Sequence, residues 1–118
     1  VSITIYEYPK CSTCRNAKKW LDEHNVEYNA IHIVENPPSK EEIKELYEKS
    51  GLELKKFFNT SGKKYRELGL KDKVASASNE ELFEILASDG MLLKRPIVTD
   101  GEKVTVGFKD EIFQKEWK

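Results

Sequence analysis

An α/β fold around a four-stranded mixed sheet is what this chain of 118 residues predicts. Three observations predict it. A β-period run, a helical pattern and a second β-period run follow one another within the first 34 residues, and a strand–helix–strand unit of this kind closes with its strands parallel. Near the other end, two short β-branched runs flank Asp100-Gly101, a dipeptide that strongly marks an antiparallel hairpin. Between them lie capped amphipathic segments, which can cover both faces of such a sheet.

The elements follow in order. Ser2–Tyr6 alternates apolar and polar residues, with Val1, Ile3 and Ile5 on one side, and reads as a strand. Residues 12–24 place Ala17, Trp20 and Leu21 on the inward face of an amphipathic helix. Glu27–Val34, with Val26, Tyr28, Ile31 and Ile33, reads as the second strand, and Asn36-Pro37-Pro38 then breaks the chain. Ser39-Lys40-Glu41-Glu42 is a capping box that opens a helix with Ile43, Leu46 and Tyr47 on its buried face; Ser50-Gly51 ends it. In the next stretch Leu54, Phe57 and Phe58 predict a helical turn, Asn59-Thr60-Ser61-Gly62 a loop and Tyr65–Leu68 another turn. Ser78-Asn79-Glu80-Glu81 is a second capping box, with Leu82, Ile85 and Leu86 as its face and Asp89-Gly90 as its stop. Arg95–Thr99 and Lys103–Val106 form the hairpin, and Asp110–Trp117 closes the chain as a short helix. With no internal repeat or low-complexity stretch, residues 1–118 predict a single domain carrying a helical insert over about 52–90.

Composition excludes several classes of function. Charged residues make up 35% with a net charge of −1, and the signs are interspersed, so nothing predicts direct non-specific binding of nucleic acid. No apolar run approaches a membrane span, and no signal peptide is visible; a chain that begins at Val1 reads as one whose initiator Met or short leader is missing. Two cysteines in one motif, rather than a scattered even set, fit a reducing compartment, so a cytoplasmic protein is expected. A monomer is expected too.

Those cysteines carry the chemistry. Cys11 and Cys14 are the only two in the chain and lie in Tyr8-Pro9-Lys10-Cys11-Ser12-Thr13-Cys14-Arg15, where a strand hands over to a helix. A C-x-x-C at that junction is the sequence form of a thioredoxin-like redox site, and the predicted element order is the thioredoxin-like architecture with extra helices. Cys11 falls at the helix N-terminus, where unpaired N–H groups favour a thiolate, and Lys10 and Arg15 flank it with positive charge. Cys14 shares a helical face with Ala17 and Leu21 and points inward. An exposed attacker and a half-buried resolver suit dithiol chemistry. Two alternatives stand beside this reading: small core residues that happen to be cysteines, and a zinc site drawing on His24 and His32. The second fits poorly, because the spacing matches no standard finger and His32 belongs to another element. No metal and no cofactor is expected. Of 20 basic residues only Arg15, Arg66 and Arg95 are arginine. Arg15 adjoins the motif and Arg95 precedes a proline at a strand start, where a planar, permanent charge has a use. Arg66 reads as a helical surface cation.

The Tyr8–Arg15 motif, Trp20-Leu21 before Asp22-Glu23-His24, Leu92-Leu93-Lys94-Arg95-Pro96-Ile97-Val98 and Val106-Gly107-Phe108 resemble the arsenate reductase–Spx family nearly end to end. The resemblance implies a thioredoxin fold with a helical insert, Cys11 as the reactive thiol, Arg95 close to it, and a cis Arg95-Pro96 bond facing the cysteine motif. Arsenate reductases of this type combine one nucleophilic cysteine, oxyanion-binding arginines and a histidine four positions before the cysteine. Cys11 and Arg95 match; Asn59 and Gly107 stand at the other arginine positions and Glu7 at the histidine, where a carboxylate is expected to raise a nearby thiol's pKa. Spx-type regulators share the C-x-x-C and Val106-Gly107-Phe108, and bind the RNA polymerase α subunit through its C-terminal domain. A glycine of that interface is matched by Gly51, whereas Ser61 stands in place of an arginine. A third group of small thiol reductases is matched at Asn59-Thr60 and Gly107-Phe108. The resemblance thus implies a thiol–disulfide oxidoreductase with Cys11 as nucleophile, Cys14 as resolver and Arg95 assisting. Arg15, Lys10, Asn59, Thr60 and Pro96 would line the substrate site, and glutathione or thioredoxin would be the reductant. The alternative is a redox-sensing regulator acting through RNA polymerase.

Overall fold

Two apolar faces of one sheet organise the molecule. The structure, a computed structural model, describes residues 3–60 and 62–117; Val1 and Ser2 of the first predicted strand, and Ser61 of the insert loop, lie outside the described residues. Strands β1 (Ile3–Glu7), β2 (Tyr28–His32), β3 (Ile97–Thr99) and β4 (Val104–Val106) form a sheet in the order β2-β1-β3-β4. β1 pairs parallel with β2, while β3 pairs antiparallel with both β1 and β4. This is the mixed, thioredoxin-like sheet predicted.

Because side chains alternate along a strand, β1 and β3 divide the core. Ile5 and Val98 face α1 (Ser12–Glu23) and α6 (Asp110–Glu116), packing with Ala17, Trp20, Leu21, Phe113 and Trp117. Tyr6 and Ile97 face the opposite side, where α2 (Lys40–Ser50), α5 (Asn79–Ser88) and the insert contribute Ile43, Leu46, Phe57, Leu86 and Leu92. The caps hold as read, with one asymmetry. Ser39 and Glu42 make both bonds of the capping box, and Gly51 stops α2 in the left-handed conformation at φ 70°. Ser78 accepts from the Glu81 N–H at 3.3 Å, the forward half of its box. Lys40 pairs with Glu80 at 2.8 Å and Glu84 at 3.3 Å, linking α2 to α5 at the surface.

Several element bounds shift by a residue or two from expectation, and three differences have a clear physical reason. β2 ends at His32 because β1, its partner, ends at Glu7, the residue in register with it. Beyond it the Ile33 N–H still donates to the Glu7 carbonyl at 3.0 Å, and Asn36 closes a turn on His32 at 2.8 Å. β3 begins at Ile97 rather than Arg95; Pro96 has no N–H to give the ladder, and only its carbonyl is engaged, by Gly107 N–H at 2.8 Å. In the insert, a 3-10 turn at Leu54–Phe57 and α3 (Lys63–Glu67) stand where turns were expected, but α4 (Leu70–Ser76) was unannounced. It starts from Gly69 in the left-handed region with no side-chain cap, and only Leu70 is fully buried. No helix among the described residues is long and apolar enough to cross a membrane.

A second 3-10 turn, Gly90–Leu92, seats against the end of β2. A Cβ at Gly90 would collide with the backbone carbonyl of Ile33, so neither partner is a flexible side chain that can swing away. Gly90→Ala is therefore expected to lower stability by about 1–3 kcal/mol, the usual scale of overpacking. A denaturant midpoint that does not move would show that the backbone yields there.

Candidate active site

The site is built at the carboxyl end of β1, where the chain turns into α1. Cys11 is the N-cap residue, in extended conformation, and its carbonyl accepts the first helical bond from Arg15 N–H at 3.1 Å. Its own N–H donates to the Tyr8 carbonyl at 2.9 Å, which fixes the turn. Cys11 is half-buried and Cys14, one helical turn on, is fully enclosed; both are free thiols. Cys14 lies on the face that also buries Ala17, Trp20 and Leu21, as its spacing implied.

The two thiols are driven apart in acidity. Burial works to raise the Cys11 pKa. It is outweighed by the Cys14 N–H, the Cys14 thiol, the charge of Arg95 and the Thr13 N–H, all of which favour the thiolate, so the net displacement is downward. Cys11 makes no side-chain bond of regular capping geometry, so these N–H groups act as the oriented dipoles of a helix start. Cys14 moves the other way, up to about 12: burial dominates, and the neighbouring Cys11 adds to it against the relief from Tyr8 N–H and Arg95. The two thiols thus act on each other's acidity, Cys14 favouring the Cys11 thiolate and Cys11 disfavouring that of Cys14.

The cation acting on this pair is Arg95, brought from the far end of the chain by β3. Its guanidinium carbon lies 5.5 Å from the centre of the Tyr8 ring, and Nη1 approaches the Met91 sulfur at 3.5 Å. Arg15 and Lys10, neighbours of the cysteines in sequence, are solvent-exposed instead. Pro96 is buried, and the Arg95–Pro96 bond is cis. Asn59 reaches the same region through the backbone: its N–H donates to Leu92 O at 2.8 Å, while Lys94 N–H donates to Phe57 O at 2.8 Å. The segment 57–59 therefore runs beside the strand that leads to Arg95. Thr60, next to it, is exposed.

Glu7 is the one buried charged residue of the described set, 4% exposed. Its Oε1 lies 3.0 Å from Lys18 Nζ of α1, an ion pair whose angle does not make a hydrogen bond. Glu7 was expected to hold the reactive thiol's pKa up, yet the Cys11 balance is downward while Lys18 compensates the carboxylate. His24 stacks on Trp20 at 4.0 Å and His32 lies edge-on to Tyr8 at 5.7 Å; no cluster of three or more metal-ligating side chains occurs among the described residues.

Comparison with known proteins places this arrangement. The model of the ArsC family matches residues 6–115. The chain belongs to the ArsC family. It is 68% identical over 117 residues to the protein YusI of Bacillus subtilis, covering 99% of each chain. It is 31% identical over 109 residues to the global transcriptional regulator Spx of Listeria innocua, covering 92% of this chain and 82% of that one. Among solved structures, an ArsC family related protein of Bacteroides fragilis superposes with a TM-score of 0.94 at 47% identity, covering 98% of this chain and 97% of that one. Proteins similar to this chain thus include a regulator, Spx, and also an arsenate reductase of Vibrio cholerae, 32% identical with a TM-score of 0.87 over 97% of this chain and 96% of that one.

Two residues of this ArsC-family site carried no role in the sequence reading. Tyr8 bears on all three principals: its carbonyl binds Cys11 N–H, its ring lies under Arg95, and its backbone works against the rise of the Cys14 pKa. Its place three residues before the cysteine was a usable signal. Met91 had none, since its contact with Arg95 depends on the irregular path of residues 90–95. A third surprise is Lys94, whose Cε lies 3.7 Å from where a Cβ on Gly107 would stand.

Proposed function

We propose that the protein is a thiol–disulfide oxidoreductase of the ArsC family, working in the cytoplasm as a monomer with glutathione or thioredoxin as reductant. The observation that carries the reading is the split between two neighbouring thiols, one at a helix start with its pKa lowered and one buried with its pKa pushed up to about 12. The Cys11 thiolate attacks one sulfur of a disulfide R–S–S–R′, expelling R′S⁻ and forming a Cys11–S–S–R mixed disulfide. Cys14 then attacks the Cys11 sulfur as its proton passes to the departing thiolate. RSH leaves and Cys11–Cys14 is oxidised. Two electrons, from two glutathione thiols or one reduced thioredoxin, restore the dithiol. Arg95 stabilises the thiolate and receives the anionic end of the substrate. Asn59, Thr60 and Pro96 border the approach, and Lys10 and Arg15 extend the positive rim into solvent.

Arsenate is a weaker candidate, because a dianion calls for several convergent cations. Asn59 and Gly107 supply none at the two positions where such reductases carry arginine, and Glu7 replaces the histidine. The deciding experiment measures turnover with glutathione and with thioredoxin against a panel of disulfides and arsenate. Disulfide reduction well above arsenate reduction is expected. The reverse order would overturn the assignment.

A second reading, a redox-sensing regulator acting through the RNA polymerase α subunit, draws on the 31% identity to Spx. Its matched residue, Gly51, already has a local reason to be glycine, as the left-handed stop of α2. Capture of this protein by the immobilised α C-terminal domain, changing with oxidation of the dithiol, would favour this reading instead.

A further inference from the structure

Arg95 is held without a carboxylate. None of the acidic side chains among the described residues pairs with it. Among the described residues, its guanidinium meets the face of Tyr8 and the sulfur of Met91. Asp89, the acid nearest in that turn, is engaged elsewhere: Oδ1 accepts from Met91 N–H at 2.8 Å and Oδ2 lies 3.7 Å from Lys64 Nζ. Both contacts are themselves braced. The Tyr8 ring meets the edge of His32, whose Nδ1 accepts from the N–H groups of Val34 and Glu35 at 3.2 and 3.3 Å. Met91 is fixed by its bond to Asp89 at the start of the 3-10 turn.

The choice of contacts has a chemical consequence. A carboxylate partner would orient a guanidinium but also neutralise it. An aromatic face and a thioether orient it through weaker attractions that leave the charge intact. We propose that Tyr8 and Met91 are positioning residues that hold Arg95 against the dithiol with its charge uncompensated, and so set a preference for anionic over neutral thiol and disulfide substrates. This rests on the oxidoreductase reading above and adds to it the device that selects substrate charge.

The test compares release of the first thiol from two probes in a single turnover: dianionic 5,5′-dithiobis(2-nitrobenzoate) and neutral 2,2′-dithiodipyridine. Arg95→Ala is the reference, expected to lower the anionic-to-neutral rate ratio. Tyr8→Leu should lower that ratio about threefold to tenfold, the scale of a partly desolvated cation–π contact, and Met91→Leu about twofold to tenfold, the scale of one modest hydrogen bond. Tyr8→Phe should restore it, and neither leucine variant should lower it further once Arg95 is alanine. Should Tyr8→Leu fail to fold, Met91→Leu carries the test alone. Equal slowing with both probes would mean that these side chains only support the fold, and would overturn the proposal. If Arg95→Ala lowers the ratio and the leucine variants do not, the cradle is wrong while the oxidoreductase reading stands. If Arg95→Ala leaves the ratio unchanged, the role given to Arg95 fails as well.

Discussion

At neutral pH iodoacetamide is expected to label Cys11 and to leave Cys14 untouched. Only the thiolate alkylates. With its pKa near 12, Cys14 holds about one part in 10⁵ as thiolate at pH 7, and full burial denies the reagent access to that fraction. Cys11 lies partly open at the helix start, with its acidity raised by Cys14, Arg95 and Thr13. The sign in pH follows. Labelling should climb with pH and level off below the range of an ordinary thiol, because the folded site favours the charged form. Mass spectrometry after digestion assigns the label, and the rate at several pH values gives the acidity. Equal labelling of both cysteines, or a midpoint at or above the ordinary value of about 8.5, would remove the basis for assigning attacker and resolver. In Arg95→Ala the midpoint should rise, since one of the groups favouring the thiolate is gone.

That prediction rests on features of very different legibility. Cys11 at a helix start and Cys14 facing inward were readable because both follow from local rules, the end of a strand pattern and the spacing of Ala17 and Leu21. The capping boxes at Ser39 and Ser78 were readable for the same reason: a cap is written in residues that touch each other in sequence. α4 was not, because it begins at Gly69 without a side-chain cap and has one fully buried residue. The end of β2 was hidden in another strand, since pairing stops where β1 stops. The electrostatics misled by proximity. Lys10 and Arg15 adjoin the cysteines in sequence but face solvent, whereas the charge acting on both sulfurs comes from Arg95, delivered by antiparallel pairing of β3 with β1. Glu7 misled similarly, because Lys18, the residue that compensates it, is one of many lysines until α1 lies on the sheet.

Cys14→Ser is expected to leave attack intact and to block completion. In this variant the Cys11 thiolate should still open a disulfide. The serine hydroxyl is a donor in place of the Cys14 thiol, and Arg95 and the N–H groups of residues 13 and 14 remain to favour the thiolate. With no second sulfur, the mixed disulfide on Cys11 persists until an external thiol removes it. Turnover with thioredoxin should then fall roughly 10²-fold or more, the scale on which losing a participating group costs a reaction. The intact mass should rise by one half of the disulfide offered. The wild-type protein, treated with one equivalent of the same disulfide, should instead lose two hydrogens and carry no adduct. The geometry supports this order, since Cys14 is held one helical turn from Cys11 on the same helix, whereas an external thiol must first arrive from solvent. Turnover of Cys14→Ser equal to wild type would show that Cys11 works alone with an external thiol as resolver, and that Cys14 is an apolar core residue of α1. A wild-type adduct as long-lived as that of the variant would show that the second attack does not occur in the folded protein, although the two cysteines share one turn of helix.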